Sequence, residues 1–243
     1  MIEWAAHSNI GAGASMSTGQ QKKQRTPVWI TVVSALIIGL GWLVFESGAL
    51  DKVLATDSGA PSTASAGAAS EQLADLQVKP AGSMDGYSRK SFEHWIPAPE
   101  AGKNCNTREA VLVRDGTDVQ VDNSCEATSG SWVSTYSGET VADDSDVDID
   151  HMVPLANAWR SGANEWTAER REQFANDMDL PQLVAADKSS NRSKGDKDPS
   201  KWKPVEAAWC EYATDWVTVK HGYGLSVTAE EKSALEQMLA TCG

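Results

Sequence analysis

The chain has 243 residues, with 34 acidic and 21 basic side chains, a formal net charge of −13, and 41% hydrophobic and 23% charged residues. This composition excludes wholesale disorder and collagen-like repeats, and the acidic balance argues against a generally basic nucleic-acid coat protein while leaving room for a local basic site. At about 100–200 residues per domain the length accommodates one or two domains, and ten Trp against three Phe suggest a core built on large, rigid anchors.

No charge interrupts the run between Arg25 and Glu46. Twenty helical residues span about 30 Å, the thickness of a bilayer's hydrocarbon core. Trp29 and Trp42 stand near the two ends, Lys22, Lys23 and Arg25 precede the run, and Glu46 and Asp51 follow it. The pattern predicts a basic cytoplasmic segment over 1–26, an uncleaved transmembrane signal anchor over 27–45, and an extracellular remainder. A signal peptide cleaved after the apolar segment, near Val53-Leu54-Ala55, is the rival and would make the protein secreted. Met16 is an alternative start. Residues 56–70 are Ala, Ser, Thr, Gly or Pro except for Asp57, so 46–83 reads as a flexible linker. The folded domain is expected over 84–243.

All four cysteines, Cys105, Cys125, Cys210 and Cys242, follow the apolar run. Four cysteines allow three pairings; sequence proximity favours Cys105–Cys125 and Cys210–Cys242, whereas a zinc site lacks any Cys-x-x-Cys pair. Arg108–Val113 enters as a short helix or strand. Val111–Val113 and Val119–Val121 flank Asp115-Gly116 as a β-hairpin closed by the first cysteine pair. Ser131–Tyr136 and Val147–Val153 read as further strands, the second ended by Pro154. Beyond Pro204, the residues Val205, Trp209, Tyr212, Trp216 and Val219 recur at helical steps, and Gly222 and Gly224 stop that helix. Its aromatic residues are core rather than a base-stacking platform. Thr228 and Glu231 form a capping box for a last helix that buries Leu235, Met238 and Leu239.

Two segments carry chemistry: Asp148-Ile149-Asp150-His151-Met152-Val153-Pro154, and Pro181 to Asp196 with its core Asn191-Arg192-Ser193-Lys194-Gly195-Asp196. On a strand Asp150 and His151 face opposite ways unless the strand ends there, as Pro154 suggests. A carboxylate there suits a hard cation, and an imidazole beside it suits proton abstraction near neutral pH. Asp187 to Lys194 forms a short helix stopped by Gly195. Over 187–203 six cations oppose three carboxylates, a local basic patch of the kind a phosphate backbone requires. The carboxylates at 144, 146, 148 and 150 resemble the start of a calcium loop, but Ile149 and Leu155 stand where its Gly and Glu belong, so that reading fails. His7, His94 and His221 read as surface or packing residues.

Asp-His-x-x-Pro, followed about forty residues later by Asn-Arg-Ser-Lys-Gly-Asp, resembles the HNH endonuclease superfamily with its ββα-metal motif. The resemblance is strongest to compact, exported bacterial forms related to the C-terminal HNH domain of GmrSD restriction enzymes, and covers roughly 84–243. It implies an α+β fold in which a ββα-metal core joins an N-terminal hairpin region and C-terminal helices. It implies His151 as general base and Asp150 and Asn191 as ligands of one divalent metal, Mg²⁺ first and Mn²⁺ or Zn²⁺ as alternatives. Gln182 falls where the family usually has the Asn that orients the base. Arg192, Lys194 and Lys197 would hold the nucleic-acid backbone, and Arg108 would reach the site. The expected partner is nucleic acid, DNA before RNA, cut with little sequence preference by a monomer that takes no small-molecule cofactor and meets the membrane through 27–45. The competing reading is a catalytically silent, disulfide-stapled binding or adhesion domain on the same fold.

Overall fold

The computed structural model describes residues 63–243, so the apolar run at 27–45 lies outside the described residues. The fold is mixed α+β. Helix α1 (Thr63–Asp75) lies within the segment 46–83 expected as a flexible linker. Ala66, Ala69, Leu73 and Leu76 recur at steps of three and four, and all are buried. Small side chains let α1 lie close against α6 (Trp209–Tyr223) and α7 (Ala229–Leu239). An Ala-rich composition that looks like a tether is also the best helix former once a partner surface covers it.

The hairpin expected from 111 to 121 is instead a helix followed by a strand. Helix α2 (Thr107–Asp115) opens on Asn106, whose side chain accepts from the amides of Arg108 and Glu109, while the Glu109 carboxylate accepts from the Asn106 amide. This reciprocal cap outweighs the strand preference of Val111 and Val113. The true hairpin pairs β1 (Gly116–Val121) with β2 (Ala127–Val133), and β3 (Thr140–Val141) adds a short third strand. Its turn is held by Asp122, which accepts from the Ser124 and Glu126 amides at 2.7 and 3.0 Å. The Cys105–Cys125 disulfide joins this turn to the segment entering α2. Tyr136 lies past the end of β2 yet is buried like Trp132, whose indole N–H donates to the Leu112 carbonyl at 2.8 Å.

Strands β4 (Val147–His151) and β5 (Leu183–Asp187) form a separate antiparallel pair, with Ile149 opposite Ala185 and His151 opposite Leu183. Helices α3 (Leu155–Arg160) and α4 (Ala168–Ala175) lie between them in sequence. One face of the pair, with Val147, Ile149, Leu183 and Ala185, packs on Val111, Leu112 and Trp132. The other, through Val184 and Ala186, joins the larger core around Tyr136, Tyr212 and Trp216.

The C-terminal helices follow the expected order with a shifted start. A 3₁₀ turn occupies Glu206–Ala208, leaving Val205 exposed, before α6 begins at Trp209 and ends at Gly224, which has φ +65°. The capping box of Thr228 and Glu231 opens α7, and Leu235, Met238 and Leu239 are buried. Cys210–Cys242 ties the two helices, and the fully buried Lys220 ammonium meets the Glu231 carboxylate at 2.7 Å.

Candidate functional site

The site is built on β4, β5 and α5 (Lys188–Lys194), two antiparallel strands running straight into a helix. Asp187 starts α5 by accepting from the Ser190 amide at 2.8 Å, and Gly195, with φ +54°, ends it. The strand alternation sets which side chains meet α5. Asp148 and Asp150 are half-buried on one face, whereas Val147, Ile149 and His151 are buried on the other. β4 ends at His151, but that residue is still in register with Leu183. Asp150 and His151 therefore leave the strand on opposite faces, which corrects the expectation that the strand end turns both one way.

On the carboxylate face, residues three apart on α5 meet residues two apart on β4. Asn191 donates from Nδ2 to Asp148 Oδ2 at 3.0 Å, and Lys194 donates from Nζ to Asp150 Oδ2 at 2.7 Å. The same ammonium donates to the His151 carbonyl at 2.9 Å, and the Tyr136 hydroxyl donates to Asp150 Oδ2 at 2.7 Å. Lys194 is 0% exposed. It is thus unable to clamp a nucleic-acid backbone as the sequence suggested; its charge is spent inside the protein. Burial pulls its pKa down, against the raising effect of Asp150. Burial and then Asp150 push the Tyr136 phenol well above its ordinary value.

On the opposite face His151 is 2% exposed. Its Nε2 lies 2.9 Å from the Ala175 carbonyl. A carbonyl only accepts, so Nε2 carries the hydrogen and Nδ1 the lone pair. Burial pushes the imidazole pKa down to about 4, overcoming the raising effects of Asp150 and the Ala175 carbonyl. The ring stacks on Trp95 at 5.7 Å between centroids, with His94 edge-on at 6.2 Å. Gln182 is fully buried and grips Val153, accepting from its amide at 3.1 Å and donating to its carbonyl at 3.0 Å. These two hydrogen bonds fix the chain just beyond His151.

The basic side chains divide. Arg192 on α5 and Lys197 just beyond it are exposed. Arg108 makes its ion pair with Glu109 at 3.4 Å, on a helix that packs against the sheet, rather than with Asp150, His151 or Asn191. Its expected reach into the site is corrected on that ground. Among the described residues no group of three or more His, Cys, Asp or Glu side chains is arranged to hold a metal ion. The oxygens that remain are nonetheless of one kind. Both bonds to Asp150 fall on Oδ2, and Asn191 turns its amide nitrogen to Asp148, so Asp150 Oδ1 and Asn191 Oδ1 are left as hard donors. Such oxygen donors suit a hard divalent cation.

Residues 114–238 match the family model of GmrSD restriction endonucleases, C-terminal domain. The chain belongs to that family. It carries an HNH-like nuclease domain, and β4, β5, α5 and the residues Asp150, His151, Gln182 and Asn191 all fall inside the matched segment, while Arg108 falls outside it. A relative described as an uncharacterized secreted protein of Arthroderma benhamiae is 55% identical over 183 residues, covering 75% of this chain and 88% of the relative. No solved structure matches. The secreted relative overturns the expectation of a bacterial single-pass membrane protein with an extracellular domain. No helix among the described residues is long and apolar enough to cross a membrane.

The tertiary structure adds residues that the motifs do not contain. Tyr136, Lys194 in its buried role, His94, Trp95 and the Ala175 carbonyl all surround the Asp-His pair. The Lys194 contact had a signal: Asn191 and Lys194 share a helix face, as Asp148 and Asp150 share a strand face. The aromatic cover over His151 had none, since Trp95 lies far away in sequence on irregular backbone with φ +62°.

Proposed function

We propose that this protein is a metal-dependent endonuclease with a ββα-metal core, hydrolysing phosphodiester bonds by His151-activated attack of water, with DNA favoured and little sequence preference. The observation that carries this reading is the state of His151: an imidazole kept neutral by burial, with its hydrogen committed to Ala175 and its lone pair on Nδ1, in a chain of a nuclease-domain family. For His151 to take the proton from water at Nδ1, water and phosphate must reach the covered imidazole around the end of β4, because its side chain leaves the strand on the face opposite Asp150. Lys194 holds the His151 carbonyl and Gln182 holds Val153 two residues on, so the backbone that carries the ring is fixed before reaction. Asp150 Oδ1 and Asn191 Oδ1 would hold one divalent cation, Mg²⁺ or Mn²⁺. Held there, a divalent ion would supply Lewis-acid charge stabilisation for cleavage of the phosphodiester bond. Cleavage of that bond leaves a 5′-phosphate and a 3′-hydroxyl. Arg192 on α5 and Lys197 just beyond it, both exposed, would contact the phosphate backbone. Two disulfides suit an oxidising compartment.

One observation favours a second reading, a silent binding domain: His151 is almost wholly covered, and Asp150 already has an internal counter-ion. Supercoiled plasmid separates the two. Incubated with the oxidised protein and Mg²⁺ or Mn²⁺, it is nicked by wild type and not by His151→Ala. A folded wild type inert toward DNA and RNA with either ion would refute the endonuclease reading and leave the binding domain.

A further inference from the structure

Lys194 is the residue whose chemistry is least explained by a surface role. Its side chain is 0% exposed, on a helix whose neighbours Arg192 and Lys197 lie in solvent. A lysine is rarely buried without a partner, because the ammonium loses its hydration and regains it only through fixed acceptors. Here the acceptors are two: Asp150 Oδ2 at 2.7 Å and the His151 carbonyl at 2.9 Å. The ring faces of Tyr136 and Trp216 lie 5.5 and 5.9 Å from Nζ and complete the pocket. The ammonium therefore touches both residues of the Asp-His pair, although their side chains point to opposite faces of β4.

We propose that Lys194 is a positioning residue that acts as the resident counter-cation of Asp150, fixing its carboxylate and the end of β4 before any metal arrives. Two consequences follow from charge alone. The carboxylate is already neutralised by Lys194, so the site needs no metal to fold. An incoming divalent ion shares one carboxylate with a fixed ammonium, and the two cations repel across it, so the ion is held weakly. Lys194 trades metal affinity for a preformed geometry. The inference rests on the metal-dependent reading of Asp150, and goes beyond it by assigning the buried lysine a role in setting how tightly metal is held.

The test is Mn²⁺ binding by the oxidised full-length protein, read by electron paramagnetic resonance of the free ion, with melting curves taken in chelator and in Mn²⁺. Lys194→Met removes the charge and keeps the length; Lys194→Gln keeps a hydrogen-bond donor. Both variants are expected to bind Mn²⁺ about tenfold more tightly than wild type or better, and to gain more in melting temperature from Mn²⁺ than wild type does. Nuclease turnover falls at saturating metal, since the carboxylate is no longer locked. A merely structural lysine would weaken binding and turnover together, so opposite directions are diagnostic. Should Lys194→Met fold only when Mn²⁺ is present, metal has replaced the missing counter-ion, which supports the assignment. Unchanged or weaker Mn²⁺ binding by a folded Lys194→Gln overturns it while leaving the nuclease reading intact. Absence of Mn²⁺ binding by wild type and variants alike overturns both.

Discussion

Lowering the pH from 7 to 5 in the presence of chelator exerts a specific stress on His151. Burial holds its folded-state pKa at about 4, against about 6.5 in an unfolded chain. A group whose folded pKa is depressed contributes stability above its unfolded pKa and loses it as pH falls toward the folded one, because the unfolded chain takes up the proton first. The window is therefore from about 6.5 down to about 4. Between pH 7 and pH 5 the proton-binding difference amounts to about 2 kcal/mol of lost stability from this one side chain. Urea unfolding followed by tryptophan fluorescence measures it, with His151→Gln as the reference: the amide can still donate to the Ala175 carbonyl but does not titrate. Other carboxylates titrate in both proteins, so the difference between the two pH dependences isolates His151. Wild type should lose about 2 kcal/mol more than the variant, or about 4–8 °C in melting temperature for a domain of this size. Parallel pH dependences in the two proteins would show that the imidazole is hydrated, and the neutral-base argument would fall with it.

Asp215 on α6 offers the opposite sign. Burial, with Glu211 one turn away, raises its pKa to about 8, so its contribution is full at acid pH and fades as pH climbs from the ordinary carboxylate range toward 8. Asp215→Asn should thus raise the melting temperature more at pH 8 than at pH 5, and an equal gain at both would refute the shift. Lys220→Met leaves the Glu231 carboxylate, 2% exposed, without its ion pair and is expected to cost about 3–5 kcal/mol in denaturant titration; a loss under about 1 kcal/mol would refute the pairing. Replacing both Cys210 and Cys242 by Ser opens a loop of sequence separation 32, and chain entropy puts the loss at about 3–4 kcal/mol, measurable against wild type under identical conditions.

Local chemistry made much of this protein legible from its sequence. The capping box at Thr228 and Glu231 specifies α7 because its hydrogen bonds close within four residues. Asp187 and Gly195 bound α5 for the same reason, one capping its first turn and the other adopting the positive φ that stops it. The pairing of cysteines followed from proximity along the chain, and the order of Asp-His-x-x-Pro and Asn-Arg-Ser-Lys-Gly-Asp was enough to indicate the family.

Tertiary structure decided whatever depended on a partner distant in sequence. Residues 63–75 fold as a helix because α6 and α7 present a surface for Ala69 and Leu73; read alone, the segment lacks enough apolar area to order itself. Val111 and Val113 suit a strand, and the Asn106 and Glu109 cap placed them in a helix instead. The register of β4 on β5 sent Asp150 and His151 to opposite faces, a matter settled by pairing rather than by composition. It is the same packing that turned one lysine of a basic run inward. Lys194 and Arg192 are alike in charge along the sequence, but only Lys194 falls on the helix face that meets Asp150, where a carboxylate and a carbonyl replace its water.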